Sequence, residues 1–315
     1  MFAWVRRRRP ERDWYWTASP EDRKEYDAFG PWVDAVRSEA DMPPRFRAAY
    51  PEHREAHFLL KVPIGADRLA VRPGMSLYRL VLAVHDDRLC LLRLAEGRIA
   101  TKTVAWADIA AIRSSVNLLH ANWSLLLKDG TSVAFDFNTV SSRRLDAVTG
   151  FIRDQLAPGA ARPNEAAAGA SVAIADLFYQ NMLVSVRNAV PRPVTLLHFE
   201  PRDRPCRNEA NRRRLSTGLM VLDVTEELVI VDRGTPFRRY FHPTYATRTT
   251  FIPYATMTWF SLASPPPGGK RRFHSLSLGI DRQVIVQPCL AAPDQVAACL
   301  AEHGVPRVAA GPGGG

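Results

Sequence analysis

The chain has 315 residues, of which 46% are apolar, and carries a formal net charge of +10. This length suits two domains with extensions, and the apolar content suffices for ordinary cores, which excludes a fibrous or globally disordered chain. No apolar run approaches the roughly 18 to 20 residues of a membrane-spanning helix, so the sequence also argues against an integral membrane protein.

Residues 1–58 differ in composition from the rest of the chain, and their pattern predicts a basic tail with a helical extension. The four arginines near the start have no apolar segment behind them, so no signal peptide is expected. Ser19 followed by Pro20 is typical of a capped helix start, and this helix should run to about Phe29. The apolar residues after Pro31 predict a second helix, over Trp32, Val33 and Val36, that ends before Pro43.

Residues 59–156 predict a β-rich module. The apolar runs Leu77–Val84 and Arg88–Leu94 flank a polar pair and indicate a hairpin. A second hairpin is expected at Asp129-Gly130, because Asp-Gly supplies the positive φ angles of a tight turn. The following strand alternates, with three apolar side chains on one face: Val133, Phe135 and Phe137.

The hydrophobic period then becomes helical. Ser141 or Ser142 is a candidate N-cap, and the apolar stripe of the helix comprises Leu145, Val148, Ile152 and Leu156. A helix in this place would cover the open end of an antiparallel sheet and protect its strand edges.

Part of this pattern recurs about 140 to 150 residues later. Val81–Asp87 matches Val221–Glu227, and the segments around Trp106 and Tyr254 also align, each as an aromatic-centred strand. A closing helix is again expected, with Pro293 in its first turn, Gly304 as its terminator, and a stripe of Val296, Cys299 and Leu300. We therefore expect a low-complexity linker at 157–170, a second module with a helical lead-in at 171–304, and a disordered tail at 305–315.

These residues carry a resemblance. An apolar-x-aromatic-x-x-apolar segment before a hairpin and a C-terminal helix resembles the bacterial pleckstrin-homology-like (PH-like) modules, which are related in fold to GRAM domains. The resemblance covers about 59–156 and 194–304. It implies a mainly β (α+β) chain with two bent, seven-stranded, partly open barrels or sandwiches, each capped by a helix. It implies binding of lipids, peptides or partner subunits and brings no catalytic residues. The acidic turns at Asp86-Asp87 and Glu226-Glu227 depart from the lipid-binding pattern.

Motifs for chemistry are weak. His53 and His57 lie at i and i+4, a spacing that could hold a metal on a helix, but no third ligand can be named, and exposed helix histidines are favoured. Neighbouring carboxylates such as those at the two acidic turns are expected to point apart. The scattered cysteines (Cys90, Cys206, Cys289 and Cys299) suggest reduced residues of a cytoplasmic protein. The sequence thus predicts no catalytic residue, no metal and no cofactor, and disfavours a small-molecule substrate.

Two basic patches lie in the second half of the chain and one near its start. A solvated surface is the ordinary explanation of such runs, but they are also the candidate anion- or lipid-binding residues. These candidates are Arg6, Arg7, Arg8, Arg9, Arg212, Arg213, Arg214, Lys270, Arg271 and Arg272. The expected function is that of a non-enzymatic, cytoplasmic adaptor that binds a partner protein. The alternatives are a peripheral protein on anionic membranes, nonspecific nucleic-acid binding, which the sequence favours less, and, with least support, an enzyme.

Overall fold

A computed structural model describes residues 13–157, 177–189, 193–200, 205–207, 213–215, 218–233, 246–263, 274–290 and 293–309. The chain is mainly β, with antiparallel sheets that do not close into barrels among the described strands and with helices beside them. Its contacts define two compact units, Met1–Thr103 and Val104–Gly315. The division lies inside the predicted module of residues 59–156, and the two-module organisation stays a prediction.

The described part of the first unit starts with short helices. These are α1 (Asp13–Trp16), α2 (Pro20–Ala28) and α3 (Tyr50–His53), with 3-10 turns at Glu39–Asp41 and Pro44–Ala49. The predicted cap of α2 is confirmed, since the Ser19 hydroxyl accepts a hydrogen bond from the Asp22 amide. The predicted second helix is wrong. Val33 and Val36 are buried around the two-residue strand β1 (Asp34–Ala35), which pairs with the main sheet and so determines the local conformation.

The sheet of the first unit has the order β1-β2-β3-β4-β5. Its long strands are β2 (Phe58–Pro63), β3 (Tyr78–Val84), β4 (Arg88–Ala95) and β5 (Arg98–Ala105). The predicted hairpin between β3 and β4 is confirmed. β1 contributes only two residues at one edge. At the other edge β5 has eight residues, of which the last two, Val104 and Ala105, belong to the second unit, and Val104 is its only buried side chain.

The second unit contains the remaining elements. Its strands are β6 (Ile109–Asn117), β7 (His120–Leu127), β8 (Ser132–Asn138), β9 (Thr195–Glu200), β10 (Pro205–Arg207), β11 (Arg213–Leu215), β12 (Leu219–Asp223), β13 (Glu227–Asp232), β14 (Thr247–Pro253), β15 (Trp259–Ala263), β16 (His274–Ile280) and β17 (Gln283–Leu290). Its helices are α4 (Ser142–Leu156), α5 (Leu177–Ala189) and α6 (Asp294–Glu302). No described helix has the length and apolar character needed to cross a membrane.

One seven-stranded sheet organises this unit, in the order β8-β7-β6-β14-β13-β12-β9. The joint is the antiparallel pairing of β6 with β14, which aligns Ile112 with Phe251 and Val116 with Thr247. Each of these strands would otherwise expose unpaired N–H and C=O groups at a sheet edge. The pairing therefore connects strands from both predicted modules into one continuous backbone hydrogen-bond ladder.

Alternation along β13 supplies two buried faces. Leu228 and Ile230 face a core that includes β15 to β17 and α6, whereas Val229 and Val231 pack in a cluster with Tyr179 of α5. The sheet is covered on both sides here, which explains why β13 reads as a continuous apolar run. The predicted alternation of β8 and the helix α4 are also confirmed. The Asn138 side chain caps the 3-10 turn before α4, by accepting from the Val140 amide, whereas Ser141 makes no side-chain cap bond.

The same element order occurs twice: four strands, a 3-10 turn, three strands and a helix. The first run is β2 to β8 with α4, and the second is β9, β12 to β17 and α6, with the small β10-β11 pair inserted. The aromatic-centred segments were predicted as strands, but Trp106 and Tyr254 each begin a 3-10 turn, Trp106–Asp108 and Tyr254–Thr256, between two strands. Tyr254 is buried as expected, whereas Trp106 and Trp259 are only half-buried.

The C-terminal segment is more ordered than its composition suggests. The α6 stripe and the Gly304 terminator, with φ of 75°, are confirmed. The disordered tail predicted from residue 305 is wrong over its first part. Val305 is buried, and the backbone of Phe260 in β15 bonds to Pro306 on one side and to Val308 on the other. Residues 310–315 lie outside the described part of the chain.

Candidate functional site

A cavity of about 450 Å³ lies in the first unit. Its lining residues come from the 3-10 turn before α3, the β2–β3 connection, β3, and the β4–β5 hairpin: Arg45, Ile64, Ser76, Tyr78, Arg79, Leu94 and Gly97. Two arginines, one serine and one tyrosine thus line the cavity together with apolar residues. Such a mixture suits a ligand group that is anionic at one end and apolar beside it.

Local backbone geometry builds this cavity. The β4–β5 turn uses Glu96 and Gly97 at φ of 51° and 76°, so the chain reverses within two residues. The Arg45 Nη2 atom donates to the Gly74 carbonyl at 2.8 Å, which attaches the 3-10 turn to the β2–β3 connection. Gly74 has φ of 81°, a conformation that glycine adopts without steric cost. The guanidinium of Arg45 is therefore held in place before any ligand arrives.

Charges beside the cavity are tuned by burial. Burial raises the pKa of Glu25 to about 7, with a further contribution from Asp22, against the opposing effect of nearby cations that include Arg45. Burial, followed by the charges of Glu25 and Asp34, raises the pKa of Tyr78 to about 12. At neutral pH the Tyr78 phenol is thus protonated and Glu25 is partly protonated. The balance of charge near Arg45 therefore changes with pH near neutrality.

None of the basic residues predicted from the sequence is among the described residues that line this cavity. Arg6 to Arg9, Arg212, and Lys270 to Arg272 lie outside the described residues, and the backbone of Arg213 and Arg214 forms part of β11. Residues 13–157 contain 19 Lys and Arg and 19 Asp and Glu, so the whole positive excess lies elsewhere in the chain. Sequence reasoning missed Arg45 and Arg79. The one available signal was Arg79, the charged residue that interrupts the apolar run of β3.

A second polar cluster lies in the first unit. His53 is buried at the end of α3, and its Nδ1 atom lies 3.1 Å from Nε2 of His85 in the β3–β4 turn. This corrects the expectation of exposed helix histidines, because α3 ends at His53 and His57 lies beyond it. His57 instead contacts the Asp86 carboxylate at 2.5 Å. Burial is the main cause that lowers the pKa of both His53 and His85, so both imidazoles are mostly neutral at pH 7.

A third cluster surrounds Tyr254 in the second unit. Its hydroxyl lies 3.0 Å from Asp223 Oδ1 and 3.2 Å from Cys299 Sγ, and its ring stacks on His303 at 3.7 Å between centroids. Burial raises the pKa of the Cys299 thiol, which is the opposite of the shift that activates a nucleophilic cysteine. The hydroxyl satisfies both of its neighbours, so this cluster is a closed hydrogen-bond network.

The two carboxylates of the second predicted acidic turn lie in different environments. Glu226 is exposed, whereas Glu227 is buried in β13 and forms an ion pair with Arg153 of α4. The two carboxylates therefore point apart, as predicted, and Glu227 belongs to the core. One backbone hydrogen bond closes each turn: the His85 amide donates to the Arg88 carbonyl in the first repeat, and the Val224 amide donates to the Glu227 carbonyl in the second. Equivalent turn positions are therefore one residue closer together in the chain than the sequence alignment placed them.

Comparison with known families finds no family model that matches the chain, and no curated protein matches it. Its function is accordingly inferred from the geometry of the chain itself.

Proposed function

We propose that the chain is a non-enzymatic adaptor with two PH-like modules and that it binds a partner protein. The observation that carries this proposal is the repeated order of four strands, a 3-10 turn, three strands and a helix. This order is the one that the PH-like resemblance implies, and such modules serve mainly as binding platforms. The joint ladder of β6 and β14 would hold neighbouring parts of the two copies in a constant orientation.

The β5 strand and the cavity beside it supply a contact surface for an extended peptide. β5 is an eight-residue strand at the end of its sheet, and seven of its side chains are exposed or half-buried. A long sheet edge accepts an added strand through main-chain hydrogen bonds, and pockets beside the edge then select side chains. Arg98 and Lys102 on β5 disfavour pairing with a second copy of the same edge.

The chemistry of the cavity favours an acidic group on the partner. Arg45 and Arg79 present guanidinium groups, and Ile64 and Leu94 provide apolar walls for the adjoining methylenes. A carboxylate can accept two parallel hydrogen bonds from one guanidinium, which fixes its orientation. We therefore propose that the partner segment carries a Glu, an Asp or a terminal carboxylate next to an apolar residue.

Peptide display on the purified protein tests this proposal. Enriched peptides should contain an acidic residue beside an apolar one, and R79E should weaken their binding at least about tenfold through charge repulsion. R37E is the matched control, because Arg37 is an exposed arginine of the same unit that does not line the cavity. Equal binding to wild type and R79E would remove the cavity from the proposal. Failure to enrich any peptide, together with no co-purifying protein after gentle lysis, would contradict the adaptor function.

A second candidate function is binding to anionic membranes. It is favoured by the distribution of charge, since residues 1–12 and 158–315 carry the entire net charge of +10. Co-sedimentation with vesicles of anionic and neutral lipid would test it, beside a truncation that begins at Trp14. Salt-sensitive binding to anionic vesicles that is lost on truncation would support recruitment through Arg6 to Arg9. Absence of binding at low salt would exclude this candidate.

A further inference from the structure

The cluster around His53 contains a third residue with metal-binding chemistry. Cys90 of β4 is buried, is not in a disulfide, and brings its sulfur close to both imidazoles. One nitrogen from each of His53 and His85 and the Cys90 sulfur all lie within 4.8 Å of one another. Two imidazoles and a thiol are the ligand types that Zn²⁺ prefers in proteins. No other part of the first unit, among its described residues, gathers three such groups.

The distances suit a tetrahedral ion. With Zn–N bonds of about 2.05 Å, two nitrogen ligands on a tetrahedral zinc are separated by about 3.3 Å. The observed separation of His53 Nδ1 and His85 Nε2 is 3.1 Å. The two rings are tilted by 48° with their centroids 5.3 Å apart, so they converge through their nitrogens and do not stack face to face. Only a small opening of the pair would be needed to admit the ion.

Without a cation, the two facing nitrogens, His53 Nδ1 and His85 Nε2, share one proton in the hydrogen bond between them. A bound metal ion would replace that proton, because metal binding at imidazoles displaces protons. The other ring nitrogen of His53, Nε2, is buried without a hydrogen-bond partner and would stay so with an ion at Nδ1.

The surrounding charge favours a cation. The charged groups that act on His85 are Arg88 and three carboxylates, those of Glu52, Asp86 and Asp87. Arg88 is the strongest single charge acting on His85. Its guanidinium pairs with Asp87 at 2.9 Å and also interacts with Cys90, where a positive charge favours the thiolate that binds a metal. A bound Zn²⁺ with a Cys90 thiolate would add only one net positive charge to a site with an acidic balance.

We propose that His53, His85 and Cys90 form a Zn²⁺ site. The three ligands come from the end of α3, the β3–β4 turn and β4, so the ion would attach the helical extension to the sheet of the first unit. Three protein ligands leave the fourth tetrahedral position for a water molecule or for a side chain of a binding partner. The site is separate from the Arg45–Arg79 cavity and does not depend on the proposed adaptor function.

Metal titration of the full chain tests the site. Protein treated with a chelator and kept reduced should bind one equivalent of Zn²⁺ and melt at a higher temperature with it. Co²⁺ in its place should give the visible bands of a tetrahedral ion and a thiolate charge-transfer band. C90S should abolish the charge-transfer band. Both C90S and H85Q should weaken Zn²⁺ binding at least about 100-fold, because even changes beyond the direct ligands weaken metal binding by about 10- to 100-fold.

Two control variants make the assignment specific. H57Q replaces a nearby histidine that pairs with Asp86, and C299S removes the thiol of the Tyr254 cluster, which with Asp223 and His303 forms the other metal-compatible group. Both should bind Zn²⁺ as wild type does. If C90S does not fold, H85Q still decides the question, because the His85 side chain is only half-buried. No Zn²⁺ binding by wild type, binding unchanged in H85Q, or binding lost in C299S would overturn the proposal.

Discussion

The buried ion pair between Arg153 and Glu227 supplies a sharp prediction about stability. The Arg153 Nε atom lies 2.9 Å from Oε1 and 3.1 Å from Oε2 of Glu227, and Nη2 also donates to Oε1. Arg153 is 7% exposed and Glu227 is 2% exposed. The guanidinium also lies over the ring of Phe251, 4.2 Å from its centroid. Because both charges are out of water, neither partner can be removed without stranding the other.

Replacing Arg153 by Met should cost about 3 to 5 kcal/mol of unfolding free energy, which is the usual range for breaking a buried pair. A charge separation of about 4 Å at an effective dielectric constant of about 20 gives an attraction of about 4 kcal/mol, which is consistent with that range. E227M should lose a similar amount. The double variant R153M/E227M should lose much less, because no uncompensated charge remains, so the cycle should return a coupling energy of about 3 kcal/mol.

Urea denaturation followed by tryptophan fluorescence is the assay. With a slope of about 2 to 3 kcal/mol per molar, the single variants should lower the urea midpoint of the second unit by about 1 to 2.5 M. R143M is the matched control, because Arg143 is exposed on the same helix and its loss should stay within about 0.5 kcal/mol. A loss of unfolding free energy below about 1 kcal/mol in R153M would refute the account of a buried, mutually dependent ion pair. A loss in the double variant equal to the sum of the two single losses would also refute it.

Three further predictions concern other parts of the fold. G279A should lower the unfolding free energy by about 1 to 3 kcal/mol, because a Cβ atom there would lie 2.1 Å from the Trp259 ring. G150A is its control and should not destabilise the fold, because a Cβ atom there would meet open space. Equal urea midpoints for the two variants would contradict the packing argument. T149V should cost about 1 to 3 kcal/mol, since the buried Trp123 Nε1 donates to Thr149 Oγ1 at 2.9 Å, and an unchanged midpoint would show that this bond contributes nothing. The raised pKa of Glu25 makes the folded state bind its proton more tightly than the unfolded state, so this group's contribution falls as pH rises from about 4.5 to about 7. The unfolding free energy of E25Q should therefore equal that of wild type near pH 4.5. At pH 8 it should be higher by about 1 kcal/mol, a figure reduced to allow for the partial exposure of Glu25. A difference in unfolding free energy that does not change with pH would contradict this prediction.

Local patterns predicted most strands and helices because the responsible forces act between near neighbours in the chain. Period-2 alternation identified β8, and spacings of three and four identified α4 and α6. The predicted helix after Pro31 failed because Val33 and Val36 are buried beside a strand, and that partner is not visible in a local window.

The candidate sites depended more heavily on contacts across the sequence. His53 and His57 attracted notice as a pair four residues apart, yet the partner of His53 is His85, 32 residues away. Arg45 and Arg79 meet at a cavity only because β3 and the 3-10 turn before α3 converge. The basic runs were prominent in the sequence because charge is a property of composition, and composition alone does not bring side chains together.

The amino-acid sequence by itself determined the mainly β character, the hairpins and the capped start of α2, since each follows from the spacing of near neighbours in the chain. The twofold recurrence was visible because two such local patterns are alike. Only the tertiary structure decided that β6 pairs with β14, that Arg153 meets Glu227 74 residues away, and that His53, His85 and Cys90 converge. The physical reason is the same in each case. A strand edge, a buried charge or an imidazole can be satisfied by many partners, and the choice among them is made by the packing of the whole unit.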